Sequence, residues 1–228
     1  MAEAGGAATR RVWVAGATGL VGRELLAVLE ADGGVREVHA FGRRAPAATG
    51  PKQRFHTVDF AAFTAPAPAA APDAALCALG TTIAVAGSRE AFRAVDFDAV
   101  LGFARAAKAA GATRFGAVSA LGAHARSSSF YTRVKGEAEE ALAALGFERL
   151  VLARPSLLAG DRTALGQPVR TGEQLALAIT GPFAKLIPPA WRPVPARAVE
   201  SALWAAVQRE GPRVERLDSA SIARSGRG

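Results

Sequence analysis

The sequence predicts an α/β fold: a doubly wound, mostly parallel sheet with helices on both faces and a small C-terminal substrate or lid insertion. Three observations predict it. Short apolar runs alternate with helix-period segments, a glycine turn links the first of each, and the alternation breaks after Pro155. With 228 residues, half of them apolar and 21% charged, a single domain over 1–228 is the simplest arrangement.

Arg11 to Ala15 reads as a buried strand, followed by the turn Gly16-Ala17-Thr18-Gly19-Leu20-Val21-Gly22 and a helix over Leu20 to Ala31. Gly33-Gly34 ends that helix. Val35 to Phe41 and Arg54 to Val58 read as the second and third strands, and the Ala/Pro-rich run between Phe63 and Pro72 as an exposed connection. Ala74 to Leu79 reads as strand four, Arg89 to Ala110 as one long helix, and Arg114 to Ser119 as strand five. Tyr131 to Leu145 is a helix and Arg149 to Ala153 strand six. Residues 156–195 form the insertion, with a helical stretch near Glu173 to Ile179 and apolar tips at Phe183 and Trp191. A helix over Ala198 to Arg209 and a strand over Val214 to Leu217 follow, leaving 219–228 as a loose tail.

Cys77 is the only cysteine, which excludes an internal disulfide and suits a reducing compartment. The first ten residues are small and polar, with no apolar stretch of signal-peptide or membrane-span length, so a cytoplasmic protein is expected, with no membrane partner. The net charge of +8 raises the question of nucleic acid, but the arginines are scattered and no zinc spacing or RNA-binding motif accompanies them, so no nucleic-acid partner is expected. No metal-ligand cluster is present in the sequence.

The glycine turn lies between a strand and a helix, where backbone can approach a pyrophosphate and the helix's first N–H groups face its charge. Its spacing is G-x-x-G-x-x-G. The alternative is a tight turn with no ligand. About twenty residues on, where NAD-binding chains offer Asp or Glu to the ribose, this chain reads Phe41-Gly42-Arg43-Arg44. Two guanidiniums suit a 2′-phosphate and therefore NADP(H), the alternative being a solvated surface pair. Asp59, at the end of strand three, is placed to flank the adenine.

Ser119 ends strand five, and Tyr131 and Lys135 share a helical face one turn apart. A neighbouring ammonium favours the phenolate and brings the phenol closer to a useful acid/base range, while Ser119 would hold the substrate oxygen. An exposed helix face is the inert alternative. His124 reads as a loop histidine, and His39 and His56 as strand residues.

Read in order, GATGLVG at Gly16, FGRR ending at Arg44, CALGTT at Cys77, VSALGAH at Val118, YTRVKGEAE at Tyr131 and RPSLLAGDR at Arg154, followed by RTGE, resemble the short-chain dehydrogenase/reductase superfamily. The likeness is to its atypical branch, which contains the Tat-interacting-protein oxidoreductases and epimerase/dehydratase-like proteins. It implies NADP(H) contacts at Gly16, Thr18, Gly19, Leu20, Val21, Gly22, Arg43 and Arg44. Further contacts are implied at Leu79, Gly80, Thr81, Pro155, Leu158 and Arg170, and Tyr131 and Lys135 match the active-site pair. Ser119 matches the first serine of a pair whose second is Ala120 here. Asp96 stands where many members have an asparagine of a proton relay, and His124 where relatives carry an acidic residue.

These readings lead to an NADPH-dependent reductase of a small carbonyl substrate, with Leu175, Phe183 and Trp191 closing over it. The rivals are a non-catalytic NADP(H)-sensing protein and an epimerase or dehydratase with bound nucleotide. The helices over 89–110 and 131–145 would supply the contact face if the chain is a homodimer rather than a monomer.

Overall fold

The structure is a computed structural model that describes residues 9–45, 49–63, 71–156, 158–159, 191 and 193–225. The strands are β1 (Arg10–Ala15), β2 (Val35–Gly42), β3 (Gln53–Thr57), β4 (Ala74–Cys77), β5 (Arg114–Val118), β6 (Arg149–Arg154), β7 (Leu158–Ala159), β8 (Val194–Pro195) and β9 (Val214–Asp218). Seven of them form one sheet in the order β3-β2-β1-β4-β5-β6-β9, and every neighbouring pair is parallel. The chain winds outward from β1 to β3, then returns to place β4 on the other side of β1. Strand order therefore reverses between β1 and β4, the position at which open α/β sheets collect ligands.

The helices are α1 (Leu20–Ala31), α2 (Ile83–Ala86), α3 (Arg89–Arg93), α4 (Val100–Ala109), α5 (Phe130–Ala144), α6 (Ala196–Gln208) and α7 (Ser219–Ser225). Strand alternation divides the core into two layers. Val12, Val14, Val38, Ala40 and Leu76 face Leu25 and Leu29 of α1 and Val199, Leu203 and Val207 of α6. Trp13, Ala75, Cys77, Phe115 and Leu150 face the other way, against Phe103 and Ala107 of α4 and Leu142 of α5. Aromatic rings thicken this second layer, with Phe103 5.9 Å from Phe41 and 6.1 Å from Phe115, centroid to centroid.

Three expectations need correction. The long helix over Arg89 to Ala110 is interrupted by a π-helical segment, Ala94–Ala99, that joins α3 to α4. Its period is too close to α-helical for the apolar pattern to reveal it. Residues 219–225 are helix α7, not loose tail: the Asp218 carboxylate accepts the Ser221 N–H at 2.7 Å, and Ile222 is fully buried in the first core layer. One apolar side chain among Ser, Ala and Arg is too sparse to show as a period. Strand four ends at Cys77, which frees Leu79 to Thr81 to form a loop at the sheet's edge.

The insertion leaves and returns at one place, because Leu158 of β7 is paired with Val194 of β8. Its helical stretch, Arg170, Leu175 and Phe183 lie outside the described residues. Trp191 is 63% exposed.

Candidate active site

Because the sheet is parallel, the ends of β1, β2, β4, β5 and β6 open onto one edge. At the reversal, Gly16 adopts φ +82°, and a Cβ there would lie 2.7 Å from the Ala78 carbonyl carbon and 2.8 Å from the Leu79 nitrogen. Both obstacles are backbone, so only glycine lets the turn after β1 meet the chain after β4. Gly19 caps α1 without a side-chain hydrogen bond, and the first turn of this 12-residue helix carries no acidic residue. The uncapped N–H groups and the positive helix end fit the diphosphate of a dinucleotide. Thr18, Gly19 and Leu20 are half-buried along this cradle, and Val21 and Gly22 pack beneath it.

Arg43 and Arg44 follow the last residue of β2 and are exposed, with neither guanidinium held by a hydrogen bond or ion pair among the described residues. Asp59 is also exposed, but its carboxylate accepts the Ala61 N–H at 2.9 Å and caps a short 3₁₀ turn. Pro155 is buried behind the site, its carbonyl accepting the Leu121 N–H at 3.0 Å.

The structure brings Tyr131 and Lys135 together with Gly80, Thr81 and Asp96. Lys135 is 6% exposed, and its Nζ lies 2.7 Å from Asp96 Oδ1. At that distance, with both side chains buried, the two form a close ion pair. Asp96 Oδ2 accepts the Thr81 N–H at 2.8 Å. Gly80 covers the pair: a Cβ on it would sit 3.4 Å from Asp96 Oδ1 and 3.6 Å from Lys135 Nζ. Burial by itself would lower the proton affinity of Lys135, but Asp96, and then Tyr131, more than offset it, and the ammonium is held above the ordinary lysine range. The half-buried Tyr131 ring packs 5.3 Å from Phe92, centroid to centroid. Asp96 reaches this position from the π-helical segment, a feature frequent at functional sites. Behind them Cys77 is buried, and desolvation pushes its thiol up to about 12, which leaves it unreactive.

Ser119 follows the last residue of β5, but its hydroxyl donates to Glu139 Oε1 at 2.6 Å. Glu139, 2% exposed, also receives Arg154 through both carboxylate oxygens and the Arg216 Nε at 3.3 Å. The proton expected on a substrate oxygen is thus given to a buried carboxylate. Glu139 lies one turn beyond Lys135, and that spacing was the only signal in the sequence that could have revealed it. Gly136 was missed as well. A Cβ there would strike the His124 and Ala125 backbone, so glycine lets the loop carrying His124 lie against α5. His124 is exposed and its Nδ1 accepts the Arg126 N–H at 3.1 Å, a loop role. Among the described residues, no group of three His, Cys, Asp or Glu side chains is placed to hold a metal ion.

The chain is similar to known proteins on both sequence and fold. It is 39% identical over 153 residues to the protein FMP52-1, mitochondrial, of Scheffersomyces stipitis, covering 66% of this chain and 68% of that one. It is 37% identical over 173 residues to the protein HTATIP2 of Rattus norvegicus, covering 73% and 69%. The solved structure of MoeE5 in complex with UDP-glucose and NAD superposes with a TM-score of 0.65 at 16% identity, over 91% of this chain and 75% of that one, a likeness of fold. The relatives named mitochondrial overturn the cytoplasmic expectation. That expectation rested on the lack of an apolar segment, whereas mitochondrial import reads amphipathic, Arg-rich and acid-poor segments, so apolarity was the wrong test. Among the described residues no helix is long and apolar enough to cross a membrane. The resemblance to atypical short-chain dehydrogenases/reductases stands. With residues 12–163 matching its description, the chain belongs to the NAD dependent epimerase/dehydratase family.

Proposed function

We propose that this protein is an NADPH-dependent reductase of a small carbonyl compound, with Tyr131 as general acid. The observation that carries the reading is the buried Lys135 ammonium one helical turn from Tyr131, beside the loop that faces the Gly16 cradle. Gly16 to Gly22 and the start of α1 would hold the diphosphate, with the exposed Arg43 and Arg44 gripping a 2′-phosphate. Bound there, the dinucleotide supplies the hydride. Tyr131 gives its proton to the carbonyl oxygen, and Lys135 stabilises the phenolate left behind. Ser119 supports this arrangement from behind, through Glu139 and α5.

One observation favours a second reading, that of a protein which senses NADP(H) without turnover: Ser119 gives its proton to Glu139, so the site lacks that donor. Family membership favours a third, epimerase or dehydratase chemistry in which the cofactor returns to its starting state.

A panel of small aldehydes and ketones with NADPH, followed at the nicotinamide absorbance, tests the proposal. Steady NADPH consumption that falls at least about a hundredfold in Tyr131→Phe is the expected result, in keeping with general-acid contributions. Binding without consumption would favour the sensor, and equal rates in Tyr131→Phe would remove the phenol from the mechanism. Preference for NADH would remove the role given to Arg43 and Arg44.

A further inference from the structure

We propose that Asp96 is a positioning residue for the Tyr131–Lys135 pair: the resident counter-ion that keeps Lys135 charged and ties the pair to the cofactor loop. For catalysis this rests on the reductase reading, but the charge arrangement itself does not.

Asp96 has no exposed side-chain surface, and a buried carboxylate costs several kcal/mol unless matched. Its two oxygens are divided between two elements. Oδ1 faces the ammonium of Lys135 on α5, and Oδ2 accepts the Thr81 N–H in the loop after β4. One side chain on the π-helical segment thereby sets the distance between the loop that faces the cradle and the helix that carries the acid.

The remaining charged and titratable neighbours do not substitute for it. On β4, Cys77 remains a neutral thiol. On α3, Arg93 is paired with Glu137 of α5, and Arg89 lies 5.2 Å over the Phe130 ring. Asp96 is therefore the anion that keeps a buried ammonium from shedding its proton.

An asparagine in its place would leave the buried ammonium without its counter-ion and let Lys135 part with its proton more easily.

The test needs no substrate. Tyr131 is the only tyrosine, so phenolate absorbance reports it alone, and Lys52, Lys108, Lys135 and Lys185 are the only lysines, so 13C labelling at Cε can resolve Lys135 by NMR. In the native protein, Lys135 should stay protonated at pH values where the other lysines have begun to titrate. In Asp96→Asn, which keeps an oxygen for the Thr81 N–H, the first proton leaving the pair should depart about tenfold more readily or better. Asp96→Glu should recover part of the shift. Titration of native Lys135 below the other lysines would overturn the proposal even if the Asn variant did not fold. So would unmoved Tyr131 and Lys135 titrations in a folded Asp96→Asn. Failure of the reductase reading would show as missing turnover with both titrations as expected.

Discussion

At Gly16 one atom decides whether the cradle exists. With φ at +82° and backbone of Ala78 and Leu79 within 2.8 Å of any added Cβ, no rotamer change relieves the contact. Gly16→Ala should lower stability by about 1 to 3 kcal/mol, the usual range for a strained backbone position. It should also weaken NADPH binding at least tenfold, read by fluorescence titration at a temperature where the variant is folded. Binding unchanged in a folded variant would place the diphosphate elsewhere. The glycine spacing was legible because a turn is local, as were Tyr131 and Lys135 on one helical face. Asp96 and Glu139 were not, because what makes each functional is a partner from another element. Asp96 could be seen in the sequence only as a departure from a resemblance, without its contact to Lys135.

At the scale of elements, α7 shows how little sequence signal a real helix can carry. Its capping carboxylate, Asp218, and the Ser219 to Ser156 hydroxyl contact at 3.2 Å fix its start, and Ile222 fixes its face. Ile222→Ala should cost about 2 to 5 kcal/mol, the range for a fully buried aliphatic side chain. Urea unfolding measures it, and a loss under about 0.5 kcal/mol would mean the segment is the loose tail that its composition suggests. The longer elements were legible because their apolar periods run over many residues. α1 was read to its observed bounds, while β4 was read two residues too long because Ala78 and Leu79 are apolar without being paired as strand.

At the scale of the whole molecule, Glu200 gives the fold a pH dependence. It lies on α6 where that helix packs against α1, fully buried, with neither carboxylate oxygen hydrogen-bonded to another of the described residues. Desolvation, aided by the Glu24 carboxylate, pushes its pKa up from 4.5 to about 9. The folded state therefore holds a proton that the unfolded chain releases above about pH 4.5. Stability from this group is complete below that pH and declines as pH rises toward about 9, a loss on the order of 3 kcal/mol by pH 7. Glu200→Gln should be more stable than the native protein at pH 8 and should flatten the dependence of Tm on pH between 5 and 9. Parallel Tm profiles for the two proteins would mean that Glu200 finds a partner in solution.

By itself the sequence determined the α/β class, the winding order of strands and helices, the glycine turn and the Tyr131–Lys135 spacing, since each is a matter of period or of neighbours along one element. Only the tertiary structure decided what those side chains face. It turned Ser119 toward Glu139, left Arg43 and Arg44 exposed, and set Asp96 against Lys135 beneath Gly80. The physical reason is that a buried charge is governed by the nearest counter-charge in space, and parallel strands with long crossovers bring that partner from distant parts of the chain.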